Sequence, residues 1–229
     1  MEEIIAFLRQ LRSHNERPWF MAHKDEYQRC VKHFEAITAG LIAGIESFDD
    51  SVRNLQPKDC TYRIYRDVRF STDKSPYKCH MGCYICPGGK KSGHAGYYFH
   101  VGAGSQGEGY PFGHMLAVGD YCYDPKALQI IREDISAGEG DFDHIVRHEV
   151  SPLFHLDTDQ MLRRNPKGFD DDAPYPEYIR LKNYSLSYEP DEAFMTDKDV
   201  VERSVELFRT TLPFTRYINR AIDFSRGER

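Results

Sequence analysis

The sequence predicts a single α+β domain, an antiparallel sheet packed against N- and C-terminal helices. Three observations carry that expectation. Apolar residues recur every three or four positions over the first 50 residues and again beyond residue 197. Between residues 60 and 122 the period drops to two, with glycine-rich links too short to host parallel crossovers. No internal repeat, low-complexity tract or Pro/Gly/Ser linker divides the 229 residues, a length that buries a core of its own.

The elements follow in order. Ile4, Ile5, Leu8 and Leu11 share one face of a first helix over residues 3–12. A break at "SHNERPWF", with Pro18 and the only tryptophan, Trp19, separates it from a second helix. There Tyr27, Val31, Phe34, Ile37, Leu41, Ile45 and Phe48 keep the helical period, so residues 1–50 form a helical segment. Trp19 and Phe20 read as a packing staple between the two helices.

From residue 60 the pattern is that of a strand. Tyr62, Ile64, Val68 and Phe70 fall on one face, interrupted by Arg66, and Arg63, Tyr65, Asp67 and Arg69 on the other. "YKCHMGCYI", "YYFHVGAG" and "HMLAVGDYCY" supply three more strands, giving an antiparallel region over residues 60–122. Residues 124–229 mix helices with one strand. "DPKALQIIREDISAG" is a helix with Asp124 as N-cap, Pro125 at its first position and Gly138 at its end. "DFDHIVRHEV" is a weaker helix, "RRNPKGFDDDAPYP" a loop and "IRLKNYSLSY" a strand. Two helices, "DKDVVERSVELFRTT" and "PFTRYINRAIDF", complete it.

Composition limits the function. A net charge of −6 argues against a general nucleic-acid binder, whose affinity is dominated by phosphate contacts. No run approaches the roughly 18 apolar residues of a membrane span. The acidic start "MEEIIAFLRQLRSHNE" lacks the apolar centre of a signal peptide. Six cysteines without such a signal read as reduced thiols, so a cytoplasmic protein is expected.

The spacing of Cys79, Cys83 and Cys86 is that of an iron–sulfur motif, but on a strand Cys86 faces away from the other two, so the three cannot converge. Zinc held by Cys83, Cys86, His94 and His100 matches no common ligand spacing. Buried thiols are the simpler reading, and no metal or cofactor is expected.

The charge pattern points elsewhere. "RIYRDVRFSTDKSPYK", residues 63–78, sets Arg63, Arg66, Arg69, Lys74 and Lys78 against Asp67 and Asp73, a basic island in an acidic chain. Same-face strand neighbours lie about 6.6–7 Å apart, so Asp67 can orient Arg69. Guanidinium forks grip carboxylate or phosphate groups bidentately. The competing reading is a charged ladder of little energetic weight, or an Arg–Asp network that braces the sheet in a protein-interaction domain.

The run Arg63, Arg66, Asp67, Arg69, Phe70, Asp73, Lys74 and Tyr77 resembles the "RxxRDxRF…DKxxY" signature of the bacterial family called domain of unknown function 2461. Asn15, Trp19, Phe20 and Tyr27 are similar to its N-terminal segment, and Pro166, Lys167, Gly168 and Phe169 to a later loop. Two departures are Cys79, where the family favours a non-cysteine, and "AVGDYCYDP", where it favours a glycine-rich segment. The resemblance implies that the arginine cluster matters but supplies no reaction.

The sequence therefore points to binding of a small anionic ligand, with or without a chemical step. Arg63, Arg66, Arg69, Asp73, Lys78 and Lys167 are the candidate ligand contacts. Asp67 is the candidate base, and Lys74 and Tyr77 are the candidate proton donors. Nucleic-acid binding through the island, with Tyr62, Tyr65 and Tyr77 stacking on bases, ranks last.

Overall fold

The structure, a computed structural model, describes residues 1–105, 107–120, 123–138 and 140–227. Helices α1 (Glu2–Ser13), α2 (Arg17–Ala22) and α3 (Lys24–Glu46) come first, followed by the single turn α4 (Pro57–Cys60). Strands β1 (His80–Ile85), β2 (Gly96–Gly102) and β3 (Met115–Asp120) are consecutive antiparallel neighbours. Tyr121 and Cys122, at the end of the fourth expected strand, lie outside the described residues. Helix α5 (Pro125–Ala137) starts as its sequence dictates: the Asp124 side chain accepts the Lys126 backbone N–H, Pro125 occupies the first turn, and Gly138 caps the end.

The "DFDHIVRHEV" segment becomes α6 (Asp141–His144) and a π-helical turn over Ile145–Glu149. The two-residue β4 (His155–Leu156), the turn α7 (Pro176–Ile179), β5 (Tyr184–Tyr188) and the short α8 (Glu192–Thr196) precede the closing helices α9 (Val200–Thr210) and α10 (Leu212–Arg226). Strand order is β1-β2-β3-β5-β4, antiparallel throughout.

The pleat gives the sheet two unlike faces. Cys83, Phe99, Leu116 and Tyr188 stand in one row across it. With Met81, Ile85, Tyr97, Val101, Val118 and Leu186 this face is buried under α1, α3 and α10. Helix α9 packs on α3 at very close range. A Cβ on Gly44 would lie 2.4 Å from a Val205 methyl, so only glycine admits the contact. The opposite face reads Tyr84, Tyr98, Ala117, Ser187 across the same strands and forms the floor of an open cleft. Among the described residues, no helix is long and apolar enough to cross a membrane.

One expected strand is replaced. Residues 61–78 form an irregular arm before β1. The Tyr62 N–H donates to Gly82 O (3.1 Å), Lys78 N–H to Ile64 O (2.8 Å) and Arg66 N–H to Pro76 O (3.0 Å), and Tyr65 pairs with Tyr77. Between the Thr61–Cys83 and Tyr65–Tyr77 bridges the second limb holds two more residues than the first, which breaks a regular ladder. Past Ile64 the alternation leads nowhere: Val68 is only part-buried and Phe70, read as inward-facing, is 95% exposed. The arm continues the sheet edge as a fold-back loop, with its tip in solvent.

Candidate functional site

The N-terminal helices seat the arm. Asn15 accepts the Tyr77 backbone N–H (3.1 Å) and donates its amide to Tyr77 O (2.9 Å). The Tyr77 ring, 4% exposed, stacks on Phe20 with centroids 4.0 Å apart, and Phe20 packs in turn on Tyr27 (5.0 Å). Burial raises the Tyr77 phenol above its ordinary pKa. Tyr77 thus anchors the arm in the core and does not reach the cleft. Trp19 stacks on His23 at 4.0 Å, in keeping with a packing role.

Within the arm, most of the charge is consumed internally. Arg66 pairs with Asp73 and donates to Ser75 O (3.1 Å). Asp73 also accepts the Ser75 hydroxyl (2.6 Å) and backbone N–H (2.9 Å), which with Arg66 hold its carboxyl down to about 2. Arg69 forks onto Asp67, 2.6 Å at its closest, and holds that carboxyl below its usual range. Lys74 donates its ammonium to Val68 O (3.0 Å). Arg66, read as facing the core, is part-buried inside this network, where Asp73 and the Ser75 carbonyl meet its charge. Asp67 and Lys74 act here as fasteners of the loop. Lys167 is exposed on a loop whose Gly168 lies near Gln129 of α5, and it does not line the cleft.

Arg63 and Lys78 are different. Both line the cleft, whose volume is about 850 Å³, and neither forms a salt bridge among the described residues, although Asp67 lies near enough to Arg63 to feel its charge and Asp120 shares the cleft lining. Lys78 sits over the Tyr62 ring, its nitrogen 5.4 Å from the centroid. Burial first, and Arg63 second, push its ammonium below the ordinary lysine pKa. Two cations are thus held together at one wall. The far wall, beyond β5 and β4, three and four strands from β1, is acidic, with Glu189, Asp157 and Asp159.

The floor carries groups that the arginine motif did not announce. On β1, His80 and Tyr84 flank Gly82, and a Cβ on Gly82 would lie 2.6 Å from the Tyr98 hydroxyl. That missing side chain leaves room for Tyr98 to reach His100. The Pro111 carbonyl can only accept, so His100 donates from Nε2 (3.0 Å) and its Nδ1 accepts the Tyr98 hydroxyl (2.8 Å). His80 stacks on His100 at 4.5 Å. The sequence signal for this floor was the polar half of "YKCHMGCYI": Lys78, His80, Gly82 and Tyr84 alternate with the buried Cys79, Met81, Cys83 and Ile85.

Cys83 and Cys86 sit on different surroundings, as the strand argument requires. Cys83 is in the core, and Cys86 donates to Gly89 O (3.2 Å). Burial raises both thiols, to about 12 and about 11. Among the described residues no group of three or more His, Cys, Asp or Glu side chains is placed to hold a metal ion.

This arrangement, a five-stranded antiparallel sheet with helices on one face and a charged cleft on the other, defines an α+β domain with a ligand-sized concavity. The chain belongs to the family described as conserved hypothetical protein (DUF2461), whose model matches residues 3–217. No curated protein and no solved structure matches it.

Proposed function

We propose that this protein binds a small anionic ligand, bearing phosphate or carboxylate, in the cleft on the open face of its sheet, with Arg63 and Lys78 holding the anion. The observation that carries this reading is two cations, neither of them in a salt bridge, at the wall of one cavity, beside an arm whose other charges pair locally. Like charges brought together in a partly desolvated place destabilise the empty protein, and an anion relieves that. The volume of about 850 Å³ lies within the range of small-molecule sites. Arg66, Asp67, Arg69, Asp73, Lys74 and Tyr77 support the site by fixing the arm that carries Arg63 and Lys78. For these six residues the bracing reading is the one their contacts favour.

Five free cysteines, all buried, among the described residues support the reducing cytoplasm as the compartment. The acidic far wall of the cleft counts against a nucleic-acid strand as its occupant.

The test is thermal denaturation against a panel of phosphorylated and carboxylated metabolites. A ligand at a hundredfold excess over Kd stabilises by about 2.7 kcal/mol. The reading requires a hit whose shift disappears in Arg63→Ala and Lys78→Met while both variants remain folded. A panel without hits, or hits that both variants retain, refutes it.

A further inference from the structure

His80 is a part-buried titratable group at the cleft that the arginine motif leaves unexplained. The bonds from Tyr62 N–H to Gly82 O and from Lys78 N–H to Ile64 O fasten the two neighbours of Arg63 to residues 82 and 78. Arg63 therefore lies opposite the segment centred on His80. Lys78 and His80, two positions apart, both line the cleft.

The His80 ring is held in place. It stacks on His100, and Tyr110 covers it with centroids 5.8 Å apart. His100 is itself fixed by Pro111 O and the Tyr98 hydroxyl. The Nδ1 atom of His80 is sealed from solvent and has no hydrogen-bond partner. A buried N–H left without an acceptor is the rarer of the two ways to orphan a polar group. In the neutral ring the proton therefore belongs on Nε2, the nitrogen that is not sealed. The groups around the ring are Lys78 and Arg66, both cationic, and the neutral His100 and Tyr110. Burial foremost, and those cations next, lower the pKa of His80 to about 4, so the ring is neutral at physiological pH.

We propose that His80 is the third donor of the anion site, presenting Nε2–H beside the Arg63 guanidinium and the Lys78 ammonium, and that the site prefers a tetrahedral phosphoryl group to a planar carboxylate. This deepens the anion-binding reading above and rests on it. A carboxylate has two oxygens in one plane and is satisfied by a single guanidinium fork. A phosphoryl group has three terminal oxygens pointing in different directions. Donors carried at three separate backbone positions of one cleft lining, the arm, residue 78 and the first residue of β1, can each serve a different oxygen, which suits the second geometry. A neutral imidazole donor also adds no further positive charge to a wall that already carries two.

The experiment measures binding of inorganic phosphate and of malonate by calorimetry at constant ionic strength, for the wild type, His80→Leu, His80→Gln, Arg63→Ala and Lys78→Met. The expected result is phosphate affinity lowered about tenfold in His80→Leu, malonate affinity changed less than about twofold, and recovery in His80→Gln, whose amide N–H replaces Nε2–H. If Arg63→Ala and Lys78→Met abolish binding of both probes but His80→Leu weakens neither, or weakens both alike, the His80 proposal fails and the anion site stands. If the wild type binds neither probe, both fail. Nitrogen-15 NMR of the wild-type imidazoles gives an answer independent of any variant. A neutral His80 protonated on Nε2 supports the proposal, and one protonated on Nδ1 overturns it.

Discussion

A functional cation and a structural cation respond to removal with opposite signs, and Lys78 tests which kind the cleft holds. Its ammonium is held near the Arg63 guanidinium and forms no salt bridge among the described residues. Two unit charges about 4 Å apart in bulk water repel by about 1 kcal/mol, which sets the scale of the effect. Lys78→Met removes the charge and keeps most of the aliphatic stem that packs over Tyr62. The variant is therefore expected to melt about 2–4 °C above the wild type in low salt, the shift that 1 kcal/mol produces in a domain of this size. Raising the salt to about 0.5 M shortens the screening length to a few ångströms and removes the share of the difference due to Arg63, while the share due to burial, the larger cause, persists.

The pH dependence has a definite sign. The folded-state pKa of Lys78 lies below the unfolded 10.5, so the folded protein releases this proton first. The penalty is complete at neutral pH and fades as pH rises toward 10.5, where the wild type catches up with the variant. The assay is scanning calorimetry at two salt concentrations and across that pH range. A variant that melts below the wild type at low salt would show that Lys78 is part of the scaffold and remove the basis for the anion site.

Three further outcomes are expected. His80→Phe should flatten the acid limb of the stability curve: with a folded pKa of about 4 against 6.5 unfolded, wild-type stability falls as pH drops from 6.5 to 4, by about 2–3 kcal/mol, and urea titrations of the variant should lack most of that slope. Lys78, Arg66, His100 and Tyr110 are the groups around the ring, and an unchanged slope would mean that burial does not keep it neutral. Gly44→Ala should cost about 1–2 kcal/mol despite alanine's better helix propensity, because its Cβ meets a Val205 methyl at 2.4 Å. Combining it with Val205→Ala should recover part of that loss, and simple additivity of the two would refute the contact. Arg66→Met should speed hydrogen exchange at the Arg66 and Lys78 amides, which bridge the two limbs of the arm, while leaving core-strand amides protected. Uniform acceleration across β1–β3 would instead make Arg66 a core residue.

How much of this was legible in the sequence depended on whether a local pattern decided the outcome. Helices α1, α3, α5, α9 and α10 each carry a long apolar stripe or a clear cap, and their tertiary surroundings agree with it. Strands β1, β2 and β3 alternate because one face is sealed by helices. The same alternation misled at residues 62–70. Its inward positions include Arg66, and no element covers Phe70, so the period existed without the burial that gives it meaning. The short pieces α2, α4, α7, α8 and β4 had no window long enough to register.

The site was half legible for a related reason. A dense motif draws attention to charge, but charge density alone does not say which cations are spent on neighbours. That partition is set by pairings seven residues apart or fewer, Arg66 with Asp73 and Arg69 with Asp67, in a loop whose shape depends on Asn15 and Phe20 some sixty residues earlier. The N-terminal residues that resembled the family are thus the ones that grip the arm, and six of the eight signature residues (Arg66, Asp67, Arg69, Asp73, Lys74 and Tyr77) fix its shape. They leave Arg63 of the signature, with Lys78 just beyond it, facing a cleft whose floor belongs to strands the motif never mentions. In this chain the signature is a run whose side chains brace one another, and the cations left outside that bracing, Arg63 and the neighbouring Lys78, are the ones that border the cleft.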